Sequence, residues 1–407
     1  MDTIRIRAYN VLFGDAFLIT FPEKNTDGTT NPRNILIDVG NLLRKGGDDK
    51  VFPPVIEDIL TELNGKPLDL YVMTHEHLDH VQGLPYAEEK TYTNTENELT
   101  QKLNTQYAWL TASAQEGYYN QHPNAKEKHL QLNATYKEID TYMKALQSAN
   151  ADIPPITQAL WLNNNPNKTK DCVKYLSNLA PNTFYVSRPN NQNTHNNNPN
   201  QIHPFTEAKI EIWAPEEDTA TYYTKTKLMP MCLGVTNTKK AGSNPTLTEV
   251  IPPAGVDAGA FYKLVNMRSS GHYENLLAID KAANNTSIVF CLEWRGYRLL
   301  FPGDAEDQSW SVMNEKGVLK PVHFLKISHH GSHTGTPEST ILNQILPENR
   351  EDDDKPRKAL LSSTKEQVYQ NVPDPETVKL IQSRCDELKR VDEIEPGKHV
   401  DIEFTAN

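Results

Sequence analysis

Cysteine is scarce. Only four occur in 407 residues, and the closest two, Cys232 and Cys291, stand 59 positions apart, with no Cys-x-x-Cys pair. A structural zinc knuckle and a dense disulfide framework are therefore not expected. Long apolar runs are also missing: none reaches the ~18 residues that a membrane span requires. The opening "MDTIRIRAYNVLF" interleaves charge with apolar residues and has no leader-like apolar core. The expectation is a soluble, cytoplasmic chain with no membrane partner. Basic charge is in deficit, with 41 Lys and Arg against 53 Asp and Glu and a net charge of -12. That balance argues against a protein that coats nucleic acid by charge alone. The length allows one large domain or two ordinary ones, and 37% apolar content points to polar surface insertions. No repeat of fixed period is present.

What is present begins as β-structure. "TIRIRAYNVL" alternates, and "AFLITF" and "NILIDVG" are compact apolar runs. "PPVIEDILTEL" carries apolar residues at helical spacing, and "LDLYVMT" reads as a buried strand. Strand, helix, strand is the start of an α/β fold. Residues 85–204 differ: polar helices are expected at about 95–118, 124–149 and 167–179, followed by the loop "RPNNQNTHNNNPNQ" at 188–201. This stretch reads as an insertion, either a cap over a site or a surface embellishment, and its polar helices could also serve as a docking module for a protein partner. "AKIEIWAP" returns to strand at 208–215, and a second insertion covers 216–283. The hairpin "TSIVFCLEWRGYRLLFPGD" turns at Arg295 and Gly296. "VHFLKISHHGSHTGT" is a strand feeding a histidine loop, and "KALLSS", the helix "PETVKLIQSRCDEL" and "HVDIEF" close the chain.

Histidine is unevenly spread. Seven of the thirteen fall within 75–80 and 323–333, each window at or just after an expected strand, and Asp304 also follows a strand. Strand ends and the loops after them are where α/β folds carry function. Imidazoles and carboxylates on three such loops describe a transition-metal site. His75 and His77, two apart on extended backbone, point the same way and can grip one ion. Asp79 and His80 can face a second, Asp304 can be shared, and one histidine of Ser328–Ser332 can complete the set. Two divalent ions about 3.5–4 Å apart would need that many ligands at once. The remaining histidines read as ordinary surface or core residues.

"THEHLDHVQGL" resembles the THxHxDHxxGL signature of the metallo-β-lactamase superfamily. With "NVLFGDAFLI", "NILIDVGN", "NNTSIVFCLEWRGYRLLFPGDAE" and "FLKISHHGSHTGT", the chain is similar to the branch typified by the hydrolase domain of the ComEC competence protein. The resemblance covers about 1–84, 205–215 and 284–407. It implies an αββα sandwich with a large, mainly helical insertion at 85–204 and a second insertion at 216–283.

By this resemblance His75 and His77 correspond to ligands of a first ion, and Asp79 and His80 to ligands of a second. Asp304 corresponds to the bridging aspartate and His330 to a further ligand. His329 would contact substrate or donate a proton, Asp79 would also orient the nucleophile, and Asp38 would support the site without ligating. The implied cofactors are two divalent ions, zinc first and manganese second. The implied activity is phosphodiester hydrolysis, on a nucleotide or nucleic acid. The alternatives are hydrolysis of a lactone, thioester or β-lactam, or a binding subunit that uses the hydrolase core partly as scaffold. Two departures stand out: no mid-chain histidine for the first ion is identifiable among His122, His129, His195 and His203, and Val372 stands where the branch often has histidine.

Overall fold

The computed structural model describes residues 2–24, 28–42, 48–85, 103–150, 153–188, 201–224, 226–229, 255, 258–350, 354–364, 369 and 371–406. The chain opens with β1 (Thr3–Tyr9), β2 (Phe17–Lys24) and β3 (Thr30–Ile37), then α1 (Asp48–Leu63), β4 (Leu68–Val72) and the one-turn α2 (Leu78–Val81). Next come β5 (Thr105–Thr111), α3 (Tyr118–Gln121), α4 (Pro123–Ser148), α5 (Pro155–Asn163), α6 (Pro166–Leu176), β6 (Asn182–Val186) and β7 (Lys209–Ala214). The last part holds α7 (Ala258–Asn284), β8 (Val289–Trp294), β9 (Tyr297–Phe301), α8 (Asp307–Glu315), β10 (Phe324–Lys326) and α9 (Ser339–Ile345). It ends with β11 (Lys358–Leu361), α10 (Pro375–Arg384), β12 (Glu387–Arg390) and β13 (His399–Thr405).

Two sheets form. One runs β13-β1-β2-β3-β4-β5-β6 and the other β12-β11-β10-β9-β8-β7. Period-2 alternation explains how they meet. Ile4 and Ile6 of β1, Phe17, Ile19 and Phe21 of β2, and Phe290, Leu292 and Trp294 of β8 share one core between the sheets. Arg5 and Arg7 alternate with those isoleucines and pair with Glu62 and Asp58 on α1. Behind the first sheet, Leu18, Leu36 and Tyr71 pack on Val55, Ile56 and Ile59 of α1. Behind the second, Cys291, Leu300 and Leu325 pack on Trp310, Met313, Ile341 and Ile381. The layering is helix, sheet, sheet, helix. Arg295 and Gly296 both take positive φ, 46° and 81°, as a two-residue type I′ hairpin turn requires.

Three expectations need correction. Residues 95–118 do not form one helix: Thr105–Thr111 is strand β5, pairing parallel with β4, and β6 pairs with β5 in turn. The stretch 85–204 therefore contributes two strands to the first sheet as well as helices. Here Trp109 faces the inter-sheet core while Ala108 and Leu110 face α1, so both faces are buried. The closing helix stops at Arg384, and Glu387–Arg390 pairs parallel with β11. Residues 86–102 and 189–200, including most of the Asn-rich loop and His195, lie outside the described residues. Among the described residues no helix is long and apolar enough to cross a membrane.

Strands β3, β4 and β5 run parallel in one sheet, and β9, β10 and β11 run parallel in the other. Their carboxyl ends deliver Asp38, Thr74–His80, Asp304 and Ser328–Gly331 to one edge. That edge is where an open α/β arrangement places a site.

Candidate metal centre

Close approach of three loops is built into the backbone. A Cβ on Gly40 would sit 2.2 Å from the Asp79 carbonyl carbon and the His80 nitrogen, and one on Gly14 would sit 2.5 Å from the Asp79 oxygen. Only glycine lets the β1–β2 and β3 loops lie against the histidine segment. On the far side, His329 and His330 both adopt left-handed backbone, with φ of 47° and 52°. Such conformations cost about 1–3 kcal/mol each and cluster at functional sites.

Asp79, His80, Asp304 and His330 are all buried, and each offers a donor atom within 4.8 Å of the others, a group that can hold a metal ion. Asp304 Oδ2 is central, 3.2 Å from both His80 Nε2 and His330 Nε2. His330 Nε2 is also 3.4 Å from Asp79 Oδ2. The outer nitrogens are spoken for. His80 Nδ1 lies 2.8 Å from Asp38 Oδ2, and His330 Nδ1 lies 3.1 Å from the Ser362 carbonyl. Those acceptors hold protons on Nδ1 and turn Nε2 inward, the usual way a protein orients metal-binding imidazole. Asp38 is itself fixed by the Thr74 backbone N–H at 2.8 Å and hydroxyl at 2.6 Å. Among the described residues, buried Asp79 Oδ1 and His330 Nε2 have no hydrogen-bond partner, as expected of atoms meant for a cation.

Electrostatics concentrate here. Burial opposes charge on His80, but Asp304, Asp79 and Asp38 outweigh it and raise its pKa well above the ordinary value. Burial likewise opposes charge on His330, and the Asp304 and Asp79 carboxylates still push it up to about 10. Asp304 is held well below the usual carboxylate range: burial works against this, while His330, Lys326 and His80 prevail. Lys326 was not foreseen. Its buried ammonium donates to Asp304 Oδ1 at 3.1 Å and to the Gly303 carbonyl at 3.0 Å, and pairs ionically with Asp15 Oδ2 at 2.5 Å. That leaves Asp304 Oδ2 for the cluster.

His75 and His77 form a second donor set. Thr74 has given its hydroxyl proton to Asp38, so it can only accept at His75 Nδ1, 3.1 Å away. His77 Nε2 donates to Asn164 Oδ1 at 2.9 Å. Both ring protons thus point outward, and the lone pairs of His75 Nε2 and His77 Nδ1 face each other at 3.0 Å. Burial, then the charge of His80, drives the His75 pKa well below its ordinary value, so a second proton on His75 does not relieve this contact. A cation does: tetrahedral zinc with ligands at ~2.0 Å places two nitrogens about 3.3 Å apart. The residues present fit a divalent ion.

His329 lies outside the four-donor cluster. Its Nδ1 meets Ser332 Oγ at 2.9 Å, and its Nε2 faces Asn284 at 3.3 Å. Asp280, Glu306 and His329 also converge, and Asn284 Nδ2 fills that group, 2.9 Å from Glu306 Oε1 and 3.3 Å from Asp280 Oδ2. The mid-chain histidines go elsewhere: His122 stacks on Tyr118, His129 on Tyr119 and His203 on Phe205. None of these three joins a group of three or more metal-capable side chains among the described residues. Val372 packs with Phe13, Leu42 and Tyr369, and Phe13 in turn lies against the His330 ring at 4.4 Å. A cavity of about 110 Å³ opens beside His77 and Asn164, walled by Glu76, Tyr119, His129 and Tyr223. Burial there pushes the Glu76 carboxyl up to about 7.

No family model and no curated protein matches this chain. Among solved structures, the crystal structure of a long form RNase Z from yeast aligns at 17% identity with a TM-score of 0.16. The alignment covers 27% of this chain and 14% of that one. An overlap this small carries neither fold nor function.

Proposed function

We propose that this chain is a metal-dependent hydrolase of the metallo-β-lactamase type, acting on a phosphodiester of a nucleotide or nucleic acid. The observation that carries the reading is the convergence of Asp79, His80, Asp304 and His330, from three strand-end loops, within 4.8 Å and wholly buried. The neighbouring His75 and His77 pair, with facing lone pairs, supports a second cation. The strand-end motifs quoted above support the phosphodiester choice.

When bound, two divalent ions would supply Lewis acidity toward a phosphoryl oxygen and a lowered pKa for water. The side chains do the rest. His75, His77, Asp79, His80, Asp304 and His330 would hold the ions, and Asp38 and Ser362 keep His80 and His330 turned inward. Asp79, whose Oδ1 has no hydrogen-bond partner among the described residues, would both hold a cation and orient the attacking water. His329, partly exposed at the rim and held at Nδ1 by Ser332, would contact the substrate or donate a proton to the leaving group from Nε2. The cavity beside His77 is smaller than the ~300 Å³ of a typical ligand pocket, so it accepts one group of the substrate and the remainder lies outside.

Purified protein loaded with zinc or manganese should hydrolyse bis-p-nitrophenyl phosphate, and Asp304→Ala should not. Failure with both metals would remove the phosphodiesterase reading. Turnover of nitrocefin or a lactone instead would move the chemistry to acyl transfer.

A further inference from the structure

The inserted helices reach into the site. Asn164 caps the carboxyl end of α5, and Asp280 and Asn284 lie one turn apart on α7. Asn164 is 9% exposed, Asp280 6% and Asn284 0%. Asn164 Nδ2 carries two protons and spends both, on the Leu160 carbonyl at 2.9 Å and on Asp280 Oδ1 at 2.8 Å. The amide can therefore face His77 only with its oxygen. An oxygen that only accepts keeps the His77 proton on Nε2, and that leaves the Nδ1 lone pair aimed at His75.

We propose that Asp280 is a positioning residue: through Asn164 it sets the tautomer and angle of His77, so that α5 and α7 build the first cation seat together with the sheet. The inference rests on the metal-dependent reading above. Without Asp280 only the Leu160 carbonyl holds Asn164 Nδ2, and the amide can turn over. Its NH₂ would then meet His77 Nε2, the ring proton would move to Nδ1, and that proton would point at His75 where the cation belongs. The second Asp280 oxygen accepts from Asn284 Nδ2 at 3.3 Å, and the same nitrogen lies 3.3 Å from His329 Nε2. Next to Asn164, Asn163 Oδ1 accepts from the Asp79 backbone N–H at 3.2 Å. One carboxylate of α7 thus braces a histidine of one loop through Asn164, while Asn163 beside it holds the backbone of the same loop at Asp79. Carboxylate partners behind metal-binding histidines are worth about 10–100-fold in metal affinity.

The test is cobalt(II) binding to the full-length chain, followed by its visible absorption and by chelator competition. Wild type, Asp280→Ala and the swap Asn164→Asp/Asp280→Asn are compared, with unfolding of each metal-free protein measured alongside. In the swap a carboxylate accepts from His77 Nε2–H directly. The expected result is two cobalt equivalents in wild type and about 10–100-fold weaker binding of one of them in Asp280→Ala. The other equivalent should be little changed, and the swap should restore the weakened one to near wild type. If Asp280→Ala does not fold, Asn164→Ala replaces it with the same expectation. Wild-type affinity for both equivalents in Asp280→Ala, or a swap that binds no better than it, overturns the inference and leaves the hydrolase reading standing. A folded wild type that binds no cobalt overturns both.

Discussion

Asp79, His80, Asp304 and His330 draw every donor from loops at strand ends, whereas His75 and His77 depend on α5 and α7 to hold one of their rings. In the first group three of the four side chains are supported from the core: Asp38 behind His80, the Ser362 carbonyl behind His330 and Lys326 behind Asp304, while Asn163 of α5 holds only the backbone of Asp79. In the second, Thr74 supports His75 from within the core, but Asn164 and Asp280 support His77 from the insertions. The contrast teaches that donors delivered together at one sheet edge can be oriented by side chains from helices far away in sequence.

The comparison can be broken most severely at the shared carboxylate. Asp304→Ala should lower turnover by well over the ~10²-fold seen when only an outer partner of a ligand is lost, and initial rates with bis-p-nitrophenyl phosphate will show it. Gly40→Ala forces a Cβ into the Asp79–His80 backbone. It should cost more than about 2 kcal/mol in denaturant unfolding, in line with mutations that force backbone apart. Thr74→Val keeps shape but removes the proton given to Asp38 and the acceptor at His75. It should weaken both cations about 10–100-fold, where Asp280→Ala weakens one.

The helices α4 and α7 have their own, smaller signatures. His129 stacks on Tyr119 at 3.9 Å, and burial depresses its pKa to about 4. A histidine held neutral in the fold contributes stability that is complete above its unfolded pKa of ~6.5 and is lost as pH falls toward 4. Wild type should therefore lose more thermal stability than His129→Gln between pH 7 and 4.5; equal losses would remove this residue from the account. Smallest, Gly271→Ala on α7 adds a Cβ that meets nothing within 4 Å among the described residues. It should stabilise by about 0.5–1 kcal/mol in urea, opposite in sign to Gly40→Ala.

The sheet edge was legible because its residues are rare and ordered. Alternation in "TIRIRAY" and the apolar runs before His75, Asp304 and His329 marked the strands, and histidine density marked the loops. Asp15 and Lys326 were not legible: one reads as a turn beside Gly14, the other as a polar residue in an apolar strand. Asn163, Asn164, Asp280 and Asn284 were less legible still, since common polar types carry no spacing signal and only the packing of α5 against α7 unites them. Strand β5 was hidden for a different reason. Its alternation of Thr105, Tyr107, Trp109 and Thr111 sits behind a long polar stretch, which widened the helical window over it.

Metal content decides the central claim most directly. Full-length protein purified without chelator and analysed by mass spectrometry should carry two equivalents of zinc or manganese, and Asp304→Ala should carry fewer. A folded, metal-free wild type that takes up neither ion on addition would contradict the account.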